Sequence, residues 1–229
     1  MALALKDIRD ALASPHVWHL MALQEVKQRY RRSTLGPFWL TISMAILVGS
    51  MGPLYSKLFN QEMGAYFPFL AIGVILWQLI FAFIQESGQV FIAAEPYIKQ
   101  IKMPLTLHVL RMVWRNAIVF AHNFVVILAV LLLFLPQWSW VALLALPGLA
   151  LLLVNGIWIG LLLGILCARF RDITPIITTL GSVAFFLTPV MWNKEMLGRH
   201  QWAADLNPLH HFIDVIRGPL LGRAPAALS

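Results

Sequence analysis

The sequence predicts an all-α integral membrane protein with five transmembrane helices. Of its 229 residues, 60% are hydrophobic and only 12% are charged, whereas soluble domains are near half apolar and about a quarter charged. Charged residues are absent from four stretches, residues 33–56, 63–85, 116–168 and 173–193. One helical span needs about 20 apolar residues. The third stretch has 53 residues and holds two spans around a break at 136–139, which makes five.

The distribution of basic residues predicts the orientation of these spans. Twelve of the 17 basic residues precede span one or join spans two to three and four to five, while only Lys57 lies in the alternate connections. The positive-inside rule therefore places the N-terminus on the cytoplasmic side of the membrane. Four basic residues after span five depart from the rule, but three acidic residues there nearly neutralise them. The basic residues are Lys194, Arg199, Arg217 and Arg223, and the acidic ones are Glu195, Asp205 and Asp214. The net charge of +7 thus indicates a membrane surface and no nucleic-acid partner.

The first 34 residues form a predicted cytoplasmic, amphipathic interface region. Leu5, Ile8 and Leu12 share one helical face, as in helices that lie along a membrane surface. Ser14 followed by Pro15 predicts the start of a second helix, because serine is a favoured N-cap and proline a favoured first helical residue. No signal peptide is evident, so we expect the first span to direct membrane insertion.

The predicted transmembrane region covers residues 35–192. Span one starts after Gly36 and Pro37, and span two covers 66–92 with Glu86 in its last third. A short polar loop between Pro96 and Pro104 follows. In span four, a repeated glycine at every fourth position favours close helix packing; these residues are Gly156, Gly160 and Gly164. Residues 193–229 contain no long uncharged run, but Asn207 and Pro208 predict the start of an amphipathic helix.

Span three begins with a basic stripe. The stripe consists of His108, Arg111, Arg115 and His122, whose spacing places them within about 60° of one helical face. One interpretation is a track for an anionic group such as a phosphate or pyrophosphate. The other is a helix longer than the membrane, whose arginines extend to the lipid headgroups. The sequence leaves both interpretations open.

Signatures of a stand-alone enzyme are absent from the sequence. No glycine is followed by lysine, so there is no phosphate-binding loop of the ATPase type, and neither the adjacent His210 and His211 nor the single Cys167 belongs to a metal-ligand pattern. Aromatic residues are abundant in several spans. They could line a channel along which a polymer moves, or they could simply pack in the core and against lipid.

Five segments, in order along the chain, carry a family resemblance. They are RYRRSTLGPFW (29–39), YFPFLAIGVILWQ (66–78), RFRDI (169–173), TPVMW (188–192) and NPLHHFIDVIRGPLLG (207–222). Together they resemble the transmembrane subunits of ABC exporters for O-antigen, capsule and teichoic-acid polysaccharides. The resemblance implies a channel formed by two copies of this chain in the cytoplasmic (inner) membrane of a bacterium. It also implies two copies of a separate cytoplasmic ATPase that binds ATP and Mg, a lipid-linked polysaccharide as substrate, and no cofactor in this chain.

The resemblance also assigns roles to residues. The loop at 95–103 would be the coupling helix that docks into the ATPase, comprising Glu95, Pro96, Tyr97, Ile98, Lys99, Gln100, Ile101, Lys102 and Met103. The channel or headgroup site would draw on His108, Arg111, Arg115, Trp39, Trp77, Phe81, Phe185 and Phe186. Outer gate helices in the extracytoplasmic region 193–229 would include or adjoin Trp192, Asn207, Pro208 and Arg217.

Two further expectations complete the sequence-based prediction. The family has six spans, so the sixth is missing from residues 1–229 and belongs after Ser229. The alternative functions are a permease for a drug or lipid, and an integral-membrane transferase that uses a lipid-linked donor. A transferase would need a base near the bilayer surface, for which Glu86, His108 and His122 are the candidates.

Overall fold

A computed structural model describes residues 2–31, 34–134 and 139–223, and these contain helices and no strand. The helices are α1 (Ala2–Leu12), α2 (Pro15–Arg29), α3 (Phe38–Leu58), α4 (Met63–Ser87), α5 (Val90–Gln100), α6 (Leu105–Phe134), α7 (Ala145–Arg169), α8 (Ile173–Leu187), α9 (Trp202–Asp205) and α10 (Pro208–Leu220). Short 3-10 segments occupy Trp140–Leu144 and Lys194–His200. The break predicted at Pro136, Gln137 and Trp138 lies outside the described residues, as do Arg32 and 224–229.

Four helical segments of the described chain are long and apolar enough to cross a bilayer. They are Phe38–Leu58, Met63–Ser87, Leu105–Phe134 and Trp140–Arg169. The fifth predicted span corresponds to α8, which is apolar but has only 15 residues. At 1.5 Å per residue it is about 22 Å long, shorter than the hydrocarbon core of about 30 Å. The all-helical membrane class is therefore confirmed, and the fifth span stays a prediction.

The end of span two differs from the predicted bound of residue 92. Helix α4 ends at Ser87, and the next helix, α5, begins at Val90. A Cβ at Gly88 would lie 3.4 Å from Cys167 Sγ and 3.4 Å from Thr174 Cγ2, which is ordinary van der Waals contact. Residues 90–92 thus belong to the connection. Within the predicted coupling segment 95–103, only the residues up to Gln100 are helical, and Ile101 is extended.

The N-terminal region forms two helices, as predicted, with a junction near Ser14. Pro15 is the first residue of α2, but the Ser14 side chain makes no capping hydrogen bond. Along α1 the residues Leu5, Ile8 and Leu12 are exposed, while Ala11 is fully buried against Leu107 and Leu110 of α6. One face of α1 therefore packs on protein and the other is available to lipid, as expected of an interfacial helix.

The chain divides into two compact units. Unit 1 comprises Met1–Pro37, Leu79–Val119 and Leu153–Gly181. Unit 2 comprises Phe38–Gln78, Phe120–Leu152 and Ser182–Ser229. His108, Arg111 and Arg115 of the basic stripe belong to unit 1, whereas His122 and α10 belong to unit 2.

The three glycines of α7 pack against other helices of unit 1. A Cβ would lie 3.0 Å from the Phe83 ring at Gly156 and 2.6 Å from Val109 Cγ1 at Gly160. At Gly164 it would lie 2.7 Å from Val90 Cγ1 and 2.8 Å from the Phe91 ring. The predicted small-residue pattern is therefore confirmed as a packing surface within this chain.

We expect Gly164→Ala to destabilise the protein. The added methyl overlaps a branched side chain and a rigid ring, and overpacking costs about 1–3 kcal/mol, which exceeds the roughly 1 kcal/mol that alanine gains in helix propensity. Thermal unfolding in detergent would measure the difference. Gly49→Ala is the matched control, because no heavy atom lies within 4 Å of its added Cβ. An unchanged midpoint for Gly164→Ala beside an unchanged control would contradict the close packing.

Candidate functional site

A carboxylate of α1 caps the first turn of α6. Asp7 Oδ1 accepts a hydrogen bond from the Leu105 N–H at 2.7 Å, and Oδ2 accepts one from the Thr106 N–H at 2.9 Å. The first N–H groups of a helix have no partner within the helix, and a negative charge there also interacts favourably with the helix dipole. Asp7 thereby connects the N-terminal region to the start of the third span.

The same hydrogen bonds determine the ionisation of Asp7. Partial burial would by itself raise its pKa, but the hydrogen bonds from Thr106 and Leu105 outweigh burial and lower the pKa below the ordinary 3.8. The charged carboxylate is therefore the form that the folded protein favours.

A second carboxylate of the N-terminal region binds the basic stripe. Glu25 of α2 forms ion pairs with Arg111, at 3.1 Å between Oε1 and Nη1, and with Arg115. Glu86 of α4 pairs with Arg115 and also accepts a hydrogen bond from the Asn116 amide. We call these five residues the arginine cluster. It joins α2, α4 and α6 within unit 1.

The cluster is largely buried and contains as many acidic as basic groups. The side chains of Arg111 and Arg115 retain 11% and 17% of their exposure, and those of Glu25 and Glu86 retain 28% and 27%. Burying a charge is costly unless it is paired, so the two carboxylates compensate the two guanidinium groups. The arginines are thus occupied by protein carboxylates in this structure, and an anion track along the stripe stays a proposal.

Several nitrogen atoms around the arginine cluster have no hydrogen-bond partner although they are buried. They are Nε of Arg111 and Arg115, the indole nitrogens of Trp18 and Trp114, and both ring nitrogens of His108. Trp18 and Trp114 contact each other edge to face, with ring centroids 5.6 Å apart. A buried unpaired donor is unfavourable, so an acceptor atom placed beside these groups would stabilise them.

The predicted coupling segment is mostly exposed. Tyr97 and Ile101 are about half exposed, and Lys99 forms an exposed ion pair with Glu95 at 2.6 Å. The hydrogen bond and charge of Lys99 lower the pKa of Glu95. Ala94, by contrast, is fully buried. One side of α5 thus anchors the helix, and the other presents aromatic, apolar and charged groups to a partner.

The aromatic residues predicted to line a channel have different environments. Trp77 is buried, and its ring centroid lies 5.5 Å from that of Phe185. Phe81 packs at Gly181, where a Cβ would lie 2.5 Å from the ring. Trp39 and Phe186 are exposed. Trp77 and Phe81 therefore pack inside the chain. The exposed rings of Trp39 and Phe186 can face lipid, a channel or a second copy.

The predicted gate residues bind the backbone that follows α8. Asn207 caps α10 through the Leu209 N–H at 2.9 Å, and its amide also donates to Thr188 Oγ1 at 2.9 Å. The Trp192 indole donates to the Phe186 carbonyl at 3.2 Å, and Pro208 is the first residue of α10. These contacts place the start of α10 beside the end of α8.

Arg217 is almost completely buried, which the sequence did not indicate. It donates from Nη1 to the Pro189 carbonyl at 2.8 Å, approaches Asp214 at 3.5 Å, and lies 4.0 Å from the centroid of the Phe69 ring. These partners replace the water that the guanidinium loses. The cation outside the charge rule is therefore compensated locally, as is Lys194, which pairs with Asp205 at 3.0 Å.

A polar cavity of about 230 Å³ lies next to Arg217. His210, Asp214 and Lys194 contribute to its lining, and burial lowers the pKa of His210. In the described part of the chain, no group of three or more His, Cys, Asp or Glu residues could hold a metal ion. Glu86 and His108, two candidates for a catalytic base, are respectively ion-paired and fully buried.

Comparison with known proteins gives the family. A family model described as ABC-2 type transporter matches residues 16–221. The chain belongs to this family. As an ABC-2 permease it is a membrane transport subunit, and its multi-pass helical architecture agrees with that assignment.

The relatives of this permease include two from Klebsiella pneumoniae, each named O-antigen export system permease protein RfbA. They are 23% and 24% identical over 197 residues, which is 83% of this chain and 74% of each relative. The resemblance to ABC exporters of O-antigen type is thereby confirmed.

Sequence reasoning identified the permease's basic stripe and missed its acidic partners. Neither Asp7 nor Glu25 is among the residues that the sequence pattern singles out. The available signal for Glu25 was its position as the only acidic residue of α2, a helix with basic residues in its last turn. Its pairing with residues 86 and 90 positions away depends on how α2 packs on α6.

We expect Asp7→Ala to loosen the first turn of α6 in the permease. It removes both acceptors, and loss of a capping side chain costs about 1 kcal/mol. Hydrogen exchange of the Leu105 and Thr106 amides should accelerate, whereas Asp10→Ala, from the exposed side of α1, should leave it unchanged. The pKa of Asp7 in the folded protein is below its ordinary value of 3.8. The stabilisation by Asp7 is therefore fully present above pH 3.8 and is lost as the pH falls through the pKa of the folded protein. Equal protection in wild type and Asp7→Ala would disprove the capping role.

Proposed function

We propose that this permease exports a lipid-linked polysaccharide, driven by a separate ATPase, across the cytoplasmic membrane. The observation that carries the proposal is the family match over residues 16–221 together with relatives named O-antigen export permeases. In this proposal two copies form the channel, and each binds one ATPase subunit. ATP and Mg bind to the ATPase, and this chain carries no cofactor.

The exposed side of α5 is the proposed ATPase docking surface. It combines the half-exposed Tyr97 with Lys99, whose side chain is 72% exposed, and aromatic residues are enriched where protein interfaces are strongest. Docking there would transmit movement of the ATPase to the permease, shifting it between closed and open populations. The positive-inside charge distribution supports a cytoplasmic position for α5 and for the N-terminus.

Both the exposed aromatic residues and the named relatives favour a lipid-linked polysaccharide as the substrate in this proposal. A lipid-linked polysaccharide presents a charged phosphate group near the membrane surface and a sugar chain to be moved. In this proposal the exposed Trp39 and Phe186 offer faces on which sugars can stack. If the substrate were instead a drug or a lipid, transport would not require a polysaccharide. Identifying the compound that accumulates when the gene is deleted distinguishes these substrate classes.

Copurification tests the proposed partnership. Tagged permease extracted from its own host in mild detergent should bring down an ATP-hydrolysing subunit in a one-to-one ratio, identified by mass spectrometry and by ATP hydrolysis. Deletion of the gene should in addition cause lipid-linked polysaccharide to accumulate inside the cell. A permease that purifies alone, from cells without such accumulation, would refute the proposal.

We expect the double variant Tyr97→Ala, Lys99→Ala to uncouple export while remaining inserted. Truncation of a central interface tyrosine costs about 2 kcal/mol, so the ATPase should bind roughly thirtyfold more weakly. Recovery of the ATPase and polysaccharide export are the measurements. The matched control is Tyr55→Ala, Lys57→Ala, which removes the same residue pair at the same spacing near the end of α3. Wild-type export by the stably inserted Tyr97/Lys99 variant would exclude α5 as the docking surface.

A further inference from the structure

The arginine cluster offers more hydrogen-bond donors than its carboxylates satisfy. Each guanidinium carries five N–H groups, yet Arg111 and Arg115 share the single carboxylate of Glu25, and Arg115 also binds Glu86. Both Nε atoms are buried and unpaired, as are the indole nitrogens of Trp18 and Trp114. An acceptor group with more oxygens than one carboxylate would satisfy donors that Glu25 leaves unpaired.

The two carboxylates of the cluster are held differently. Glu86 belongs to α4, a candidate membrane span, and is fixed from two sides by Arg115 and by the Asn116 amide. Glu25 belongs to α2, which is not a candidate span, and its bonds within the described residues are to the two arginines. Glu25 is therefore the carboxylate with fewer partners, and its departure leaves Arg111 and Arg115 of α6 in need of another anion.

Departure of Glu25 would change the charge of the cluster. With Glu25 in place, two carboxylates balance two guanidinium groups; without it the site has a net charge of +1 and two guanidinium groups one helical turn apart. Planar guanidinium groups bind phosphate oxygens through paired N–H donors. Partial burial strengthens such bonds, and the remaining exposure of Glu25, 28%, leaves a route of access.

We propose that Glu25 is an internal substitute for a phosphate, and that a phosphate diester or pyrophosphate displaces it to bind Arg111 and Arg115. The inference rests on the proposed function in one respect, since the lipid-linked substrate supplies the phosphate group. A phosphate offers more acceptor oxygens than a carboxylate to the guanidinium donors that Glu25 leaves unpaired. Displacement frees the Glu25 end of α2 from α6, while Asp7 still holds α1 at Leu105 and Thr106. Loading of the headgroup is thereby coupled to movement of α2.

Binding of inorganic pyrophosphate to purified permease tests the competition. The permease is reconstituted in nanodiscs of phosphatidylcholine, and binding is followed by titration calorimetry for wild type, Glu25→Gln and the matched control Glu62→Gln, an exposed residue between α3 and α4. Removing the competing charge should tighten binding by about tenfold, the size of one charge-assisted hydrogen bond, and Glu62→Gln should bind like wild type. Glu25→Gln combined with Arg111→Ala should lose the gain.

The outcomes separate this inference from the proposed function. Unchanged affinity in a folded Glu25→Gln variant overturns the substitution of phosphate by Glu25, even if the permease still copurifies with an ATPase and supports export. If Glu25→Gln does not fold, Glu25→Asp keeps the charge with a shorter reach; a smaller tightening supports the proposal, and none overturns it. Nanodiscs that contain phosphatidylglycerol distinguish the source of the phosphate: a headgroup that occupies the site abolishes pyrophosphate binding in Glu25→Gln, whereas a site for the linked substrate retains it.

Discussion

Charge compensation of Arg111 and Arg115 is the constraint on which the arrangement of unit 1 depends. Two guanidinium groups on one face of a membrane helix cannot be buried without anionic partners, and the partners come from two other helices, α2 and α4. Removing one partner of such a buried pair costs about 3–5 kcal/mol, a large part of the stability of an ordinary domain. The position of α2 against α6 is therefore determined by electrostatics as well as by the apolar contacts of Trp18 with Leu107 and Leu110.

Unit 2 also contains a buried arginine, Arg217, whose charge is compensated by different groups. Arg217 is as buried as the core leucines, yet its carboxylate partner Asp214 is distant at 3.5 Å and half exposed. A carbonyl oxygen and an aromatic face provide most of the compensation. Close approach of the backbone is possible because residue 73 is glycine, where a Cβ would lie 2.5 Å from the Val190 carbonyl oxygen. The Pro189 carbonyl and the Phe69 ring thus stabilise Arg217. The positive-inside rule alone disfavours a basic residue on the side of the membrane where Arg217 is predicted to lie.

Most of the helical framework could be predicted from the sequence because apolar length and helix-end signals are local. Pro15 and Pro208 begin helices where expected, and Gly36, with φ of +55°, precedes α3. Two helix ends differ from the prediction. Helix α4 ends at Ser87, before the predicted residue 92, and α8 ends at Leu187, where Asn207 and Arg217 bind the carbonyl groups of Leu187 and Pro189. Both ends lie beside groups from distant parts of the chain, which local sequence patterns do not show.

The site was predicted less completely, since periodicity locates the basic stripe on one face of α6 but does not name what faces it. The pairing of Arg111 and Arg115 with Glu25 requires the packing of two helices far apart in sequence. Likewise, composition does not show which side of α5 is exposed. The structure shows it, because Ala94 is buried on one side while Tyr97 is half exposed. Charge pattern therefore identified where the polar groups lie, and geometry decided which of them remain available.

The shortness of α8 has a consequence for the surrounding lipid. If α8 is the fifth span, its length of about 22 Å is about 8 Å less than a hydrocarbon layer of about 30 Å, and a bilayer can adapt to such a mismatch by thinning. Irregular backbone at membrane depth is tolerated only where protein satisfies its polar groups, and the carbonyl groups of Leu187 and Pro189 meet that condition through Asn207 and Arg217. A bilayer thinned beside such a span would shorten the distance over which a polar cargo is out of contact with water.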